Sequence, residues 1–101
     1  MNTAQVTVVR LYITDGEAQL NKVLSLLRTQ EHVRGVTVFR GIAGFGPSGK
    51  MHASVPPELS LQLPLVIEYF DTPAKVESTL NHVGALIKPG HVVYWNAQTN
   101  L

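Results

Sequence analysis

Glycines at 44, 46 and 49 sit in the segment RGIAGFGPSGKMH, residues 40–52, beside Ser48, Lys50 and His52. Glycine adopts backbone angles closed to other residues, so such a run can turn consecutive N–H groups toward one point and cradle an anion. The hydroxyl, ammonium and imidazole groups add side-chain donors. Phosphate or carboxylate binding is the chemistry this pattern suits. It lacks the spacing of a Walker loop and does not lead from a strand into a helix as a dinucleotide fingerprint does. A plain glycine loop is therefore an equal alternative on the residues alone.

Other reactive groups are thinly spread. The four histidines, at 32, 52, 82 and 91, fall on a helix end, a loop, a second helix and a strand start. No pair has the spacing of a zinc motif, so no metal site is expected within one chain, and His82 reads as a surface residue. The absence of cysteine removes thiolate ligands, disulfides and thiol nucleophiles together. Among the seven carboxylates, Asp15 and Glu17 read as helix-capping groups, Glu31 and Glu77 as solvated, and Glu68 as an ion-pair partner. No nucleophile, base and orienting group assemble by spacing, so an enzyme is not expected. The alternative within this fold class is a small ferredoxin-like enzyme, which would need an apolar pocket holding a placed histidine or carboxylate. Tyr94 and Trp95 could stack on a ligand base, yet aromatics in a last strand read first as core or interface.

The elements that must position these groups follow from periodicity. Residues 6–13 alternate and are β-branched up to the Thr14-Asp15-Gly16 turn, which predicts a strand with Thr7, Val9, Leu11 and Ile13 on one face. Thr14 and Glu17 match a capping box, and Leu20, Val23, Leu24 and Leu27 follow at helical spacing, predicting a helix over about 15–31. A second strand is expected over 36–42. Residues 43–63, rich in glycine and proline, read as a long excursion whose part from 46 onward is expected to be the most mobile. A third strand is expected over 65–70. Thr72 and Pro73 then open a helix carrying Val76, Leu80, Val83 and Ile87, Pro89-Gly90 stops it, and a short strand over 92–95 ends the order. This βαββαβ order predicts an α+β ferredoxin-like sandwich, a four-stranded antiparallel sheet with both helices on one face.

The second sheet face needs a cover. Parity places Val8, Tyr12, Val36, Val38, Val66 and Phe70 there, with Arg10, Arg40 and Glu68, so that Glu68 is expected between two arginines. Arg10, Val38, Arg40 and Glu68 are the candidate interface residues, and self-association is the economical cover. With 101 residues, 45% hydrophobic, 15% charged and a formal charge of +1, the chain suits one domain with a buried subunit contact. No basic run points to nucleic acid. No stretch is long and apolar enough to span a membrane, and residues 1–5 show no signal-peptide pattern, so a cytoplasmic location is the default.

The RGIAGFGPSGKMH segment, the LPLVIEYFDTPAKVE stretch and the IKPGHV turn together resemble the PII-like family called domain of unknown function 190, over nearly the whole chain. The segment is also similar to the GFGR start of the T-loop in PII signalling proteins. The resemblance implies a homotrimer that senses a small anionic ligand, such as an adenine nucleotide, in clefts between subunits and regulates a partner through a flexible loop. Gly44, Phe45 and Gly46 would form the loop base, with Ser48, Gly49, Lys50 and His52 in the loop, and Lys88, Gly90 and His91 the opposing turn. It also implies a membrane transport protein, a fluoride channel or another transporter, as partner. A similar trimeric fold occurs in copper-tolerance proteins of the CutA type, which keeps a metal-binding module open as a further reading. Residues 43–63 contain no tyrosine to be uridylylated, and Pro47 stands where PII has arginine. Residues 97–101 lack PII's basic pair for nucleotide phosphates, so a mono- or diphosphate nucleotide or a small anion is expected rather than a triphosphate.

Overall fold

A computed structural model describes residues 1–46, 49, 52–53 and 64–101. Pro47, Ser48, Lys50, Met51 and residues 54–63 lie outside the described residues, and with them most of the segment expected to be mobile. In chain order come β1 (Thr3–Ile13), α1 (Gly16–Ser25), β2 (Thr37–Arg40), β3 (Ala43–Gly44), β4 (His52–Ala53), β5 (Leu65–Asp71), α2 (Pro73–Val83) and β6 (Val92–Asn100). Strands β2-β5-β1-β6, in that spatial order, form an antiparallel sheet, and β3 and β4 form a separate two-stranded ribbon. The ferredoxin-like order is therefore the one the periodicity predicts, and the excursion after β2 begins as a ribbon.

The core lies between the helices and one sheet face. Val9, Leu11 and Ile13 of β1 meet Leu65, Ile67 and Tyr69 of β5, and above them pack Leu20, Val23 and Leu27 from the first helical segment and Val76, Val83 and Ile87 from the second. Spacing of three and four along each helix puts these side chains on one stripe. Thr72 caps α2 as expected, its hydroxyl accepting from the Lys75 N–H at 3.3 Å, with Pro73 in the first helical turn.

Three local expectations change. The Thr14–Glu17 capping box does not form: Asp15 is the N-cap residue without a side-chain cap, and Gln19 Oε1 instead accepts from the Thr14 and Asp15 N–H groups at 3.2 and 2.9 Å. The first helix loosens into a π turn over Leu26–Gln30, in which the Glu31 N–H donates to the Leu26 carbonyl at 3.0 Å. That turn carries Glu31 inward, where it is buried and bonded to His82 Nδ1 at 3.0 Å, so Glu31 is not solvated, while His82 stays on the surface as expected. Finally, β6 runs to Asn100 because β1 begins at Thr3 and pairs with it throughout. A full antiparallel partner overrides the poor strand preference of Asn96 and Asn100.

The largest correction concerns β2. Its register pairs Val38 with Ile67 and Arg40 with Leu65, both core-face residues, so Val38 and Arg40 lie on the helix side, as does Val36, which packs against the core. Thr37 and Phe39, paired with Glu68 and Val66, take the open face. A shift of one residue in strand parity moves every side chain to the other face.

The buried Tyr69 hydroxyl and Thr79 Oγ1 lie 2.7 Å apart, and Thr79 Oγ1 donates to the Val76 carbonyl at 2.8 Å. Burial pushes the Tyr69 phenol up from its ordinary pKa. Tyr69→Phe leaves the Thr79 donor satisfied and is expected to cost about 1 kcal/mol, whereas Thr79→Val strands a buried phenol and is expected to cost about 1–3 kcal/mol. Urea unfolding at one fixed protein concentration checks the order; an equal or smaller loss in Thr79→Val contradicts it.

Candidate functional site

The glycine-rich segment is anchored where β2 ends. The Gly41 N–H donates to the Pro64 carbonyl at 2.7 Å, joining the start and the end of the excursion. Gly44 pairs with His52 across the ribbon, and a Cβ at Gly44 would stand 2.9 Å from Pro64 Cγ. The glycine is therefore required for close packing against proline. Gly49, at φ +75°, donates its N–H to the Gly46 carbonyl at 2.9 Å. That group is spent on the loop's own turn and does not join an anion cradle. Phe45 and Gly46 are exposed, while Ser48 and Lys50 lie outside the described residues.

The second candidate group is the turn from Lys88 to His91. Proline followed by glycine at the two central positions, with Gly90 at φ +81°, is the composition of a type II turn, and the His91 N–H closes it on the Lys88 carbonyl at 3.1 Å. The His91 carbonyl accepts from the Tyr12 N–H at 2.9 Å, which fixes the turn to β1. His91 Nδ1 lies 3.0 Å from the Pro89 carbonyl. That carbonyl can only accept, so Nδ1 is the donor in this contact and Nε2 of the neutral ring is an acceptor. Lys88 Nζ pairs with Asp15 Oδ1 at 3.2 Å, both more than half exposed. An exposed pair of this kind is weak enough for an incoming anion to compete.

These two groups share one end of the sheet. Arg40 lies opposite Leu65, Leu65 opposite Ile13, and Val92 opposite Leu11, so the end of β2, the starts of β5 and β6 and the end of β1 all meet there. Yet β2 and β6 are the two sheet edges. Three interstrand spacings put the ribbon base and the 88–91 turn roughly 14 Å apart in one chain. A single small anion cannot bridge that gap within one copy.

Gln19, which sequence reasoning passed over, ties this end together. Its Oε1 holds the turn after β1 and its Nε2 donates to the Leu86 carbonyl at 3.1 Å, so one amide connects the start of α1 to the segment before Lys88. A glutamine four residues after the N-cap was the available signal. Arg40 pairs with Glu17 at 3.3 Å and so also braces this end rather than the open face.

On the open face, Arg10 and Glu68 lie directly opposite each other, and Arg10 Nε donates to Glu68 Oε1 at 2.8 Å. The Arg10 guanidinium also sits 5.7 Å from the centre of the Trp95 ring. Glu68 first, and the Tyr12 hydroxyl second, raise the Arg10 pKa further. Around this pair Tyr12, Phe39, Phe70, Val93 and Trp95 are 38–48% exposed. The expected charge group thus holds one arginine, not two. Among the described residues, no three His, Asp or Glu side chains group as a metal site, and no helix is long and apolar enough to cross a membrane.

The chain is similar in structure to CPII, a nitrogen regulatory PII-like protein from Thiomonas intermedia K12, in its complex with ADP and bicarbonate. The TM-score is 0.74 at 16% identity, over 99% of this chain and 93% of CPII. It is also similar to a PII-like signalling protein from Thermus thermophilus, with a TM-score of 0.68 at 10% identity over 98% and 91% of the two chains. The divalent ion tolerance protein CutA1 from Ehrlichia chaffeensis gives 0.62 at 9% identity over 95% and 82%. At such identities the likeness establishes the fold, which is PII-like and ferredoxin-like. The model of the DUF190 family, described as uncharacterized ACR, COG1993, matches residues 6–99, a span that takes in both helices, the sheet and the glycine-rich segment, and the chain belongs to that family.

Proposed function

We propose that this protein is a PII-like sensor, a homotrimer that binds a small anionic ligand between subunits and regulates a partner through the excursion after β2. The observation that carries the reading is the placement of the ribbon base and the 88–91 turn at one end of the sheet but on opposite edges. Only a neighbouring copy can bring the second group to the first. Backbone N–H groups near Gly44 and Gly46 and the Lys88 ammonium then line one cleft, with His91 Nε2 beside them as an acceptor for a ligand hydroxyl. One ammonium group and a few backbone donors suit a nucleoside mono- or diphosphate or bicarbonate better than a triphosphate, and CPII is bound to ADP, AMP and bicarbonate. The family resemblance supplies the partner class, a membrane transport protein such as a fluoride channel. The role is binding and signalling rather than catalysis.

The open face is the subunit contact in this reading, since its exposed aromatics are the apolar area that assembly would cover. Phe39→Glu is expected to reduce the mass seen by light scattering from three times 11.1 kDa toward a single chain. Val38→Glu places its charge on the helix side and would act on the core instead. An intact trimer in Phe39→Glu moves the contact elsewhere.

Calorimetry with ADP, AMP and bicarbonate tests the ligand cleft. Lys88→Ala is expected to weaken ADP binding by about 1–3 kcal/mol, the range for losing a charge-assisted contact. Gly44→Ala displaces Pro64 and is expected to weaken it as well. Full ADP affinity in both variants, each verified as a trimer, refutes the cleft.

A further inference from the structure

A second cleft, of roughly 390 Å³, lies between α2 and β6, away from the glycine-rich segment. Pro73, Val76 and Leu80, at helical spacing along α2, form one wall, and the Tyr94 ring faces it from β6. Tyr94 is 61% exposed although it sits on the core-facing side of its strand, because β6 is a sheet edge and α2 does not reach over it. The polar lining is Thr7, Glu77, Asn81 and Asn96. Thr7 and Asn96 are direct cross-strand partners, and Glu77 and Asn81 lie one helical turn apart.

These polar side chains share one property. Among the described residues none of the four is held by another side chain or by backbone: Glu77, Asn81 and Asn96 are exposed, and Thr7, 6% exposed, leaves no buried atom unsatisfied and so opens its hydroxyl to the cleft. The cleft therefore offers two carboxamides, each both donor and acceptor, a hydroxyl and one carboxylate, beside an aromatic face. No lysine or arginine lines it. Its charge opposes a phosphate, and its volume suits a ligand the size of a nucleoside.

We propose that this cleft binds a small planar heterocycle bearing an amino or amide edge, neutral or singly positive, stacked on Tyr94 and read by Asn81 and Asn96. Glu77 accepts from the exocyclic amine and turns away the phosphorylated form. The site is separate from the anion cleft and selects the opposite charge.

Titration of the intact protein with adenosine, cytidine and nicotinamide, followed by 1H–15N correlation spectra, tests it. A saturable shift of the Asn81 and Asn96 side-chain amides and the Tyr94 N–H is expected with at least one probe, and AMP and inorganic phosphate are expected to leave these signals in place. Tyr94→Ala is expected to weaken binding roughly tenfold or more, the loss of a stacked base. Asn96→Leu is expected to abolish the preference for an amino-bearing ring, and ADP binding in the other cleft is expected to stay unchanged in both variants. Three probes without a saturable shift at these residues overturn the proposal. So does AMP shifting them as strongly as adenosine, or full affinity in Tyr94→Ala.

Discussion

Alternate residues of β1 meet two different environments, and the other elements arrange themselves around that division. Thr7, Val9, Leu11 and Ile13 are buried under the helices, while Arg10 and Tyr12, one residue out of step, stand on a face that no described residue covers. The period of two in a strand makes this unavoidable once one face becomes core. Because β1 is central and pairs with both β5 and β6, its parity dictates theirs. Ile67 and Tyr69 go inward and Glu68 outward, opposite Arg10. The ion pair is placed by the hydrophobic core on the reverse side of the same strands.

A charge pair ringed by aromatics is poorly explained by stability alone, since both partners remain partly exposed and such pairs contribute little. In a covered interface the same pair would fix orientation, because an arginine separated from its carboxylate there would be strongly unfavourable. In the proposed trimer the open face would then favour one arrangement of copies. That arrangement would matter to ligand chemistry, as the two groups proposed for an anion are held apart by the width of the sheet.

The ends of the strands show a different economy. Backbone hydrogen bonds through Tyr12, Pro64 and Gly46 set much of the geometry of the 88–91 turn and of the ribbon base, with His91 and Gln19 adding side-chain bonds to backbone carbonyls. The side chains nearest the site are in exposed or partly exposed pairs, Lys88 with Asp15 and Arg40 with Glu17. A rigid frame with weakly committed charges suits reversible binding, for the frame need not reorganise when a cation changes partner.

Much of this was legible in the residues. Alternation in β1 and β5, the three- and four-residue spacing in both helices, the Thr72-Pro73 start and the Pro89-Gly90 stop each report a local preference that tertiary packing did not oppose. The pairing of Arg10 with Glu68 followed from the topology that this order implies. The face of β2 did not follow. Each of its parities mixes apolar and polar residues, Val36 and Val38 with Arg40 against Thr37 and Phe39, so the alternation alone selects a side only weakly, and the register against β5 decided it. Glu31 and Gln19 were hidden for a related reason, since a polar residue on a helix is solvated by default until a π turn or a distant carbonyl gives it a buried or bridging role. Local sequence determines which elements form and where they stop, because those preferences act within a few residues. The side a short, two-sided strand presents, and the partners its charges find, depend on groups far along the chain, and only the assembled sheet brings those together.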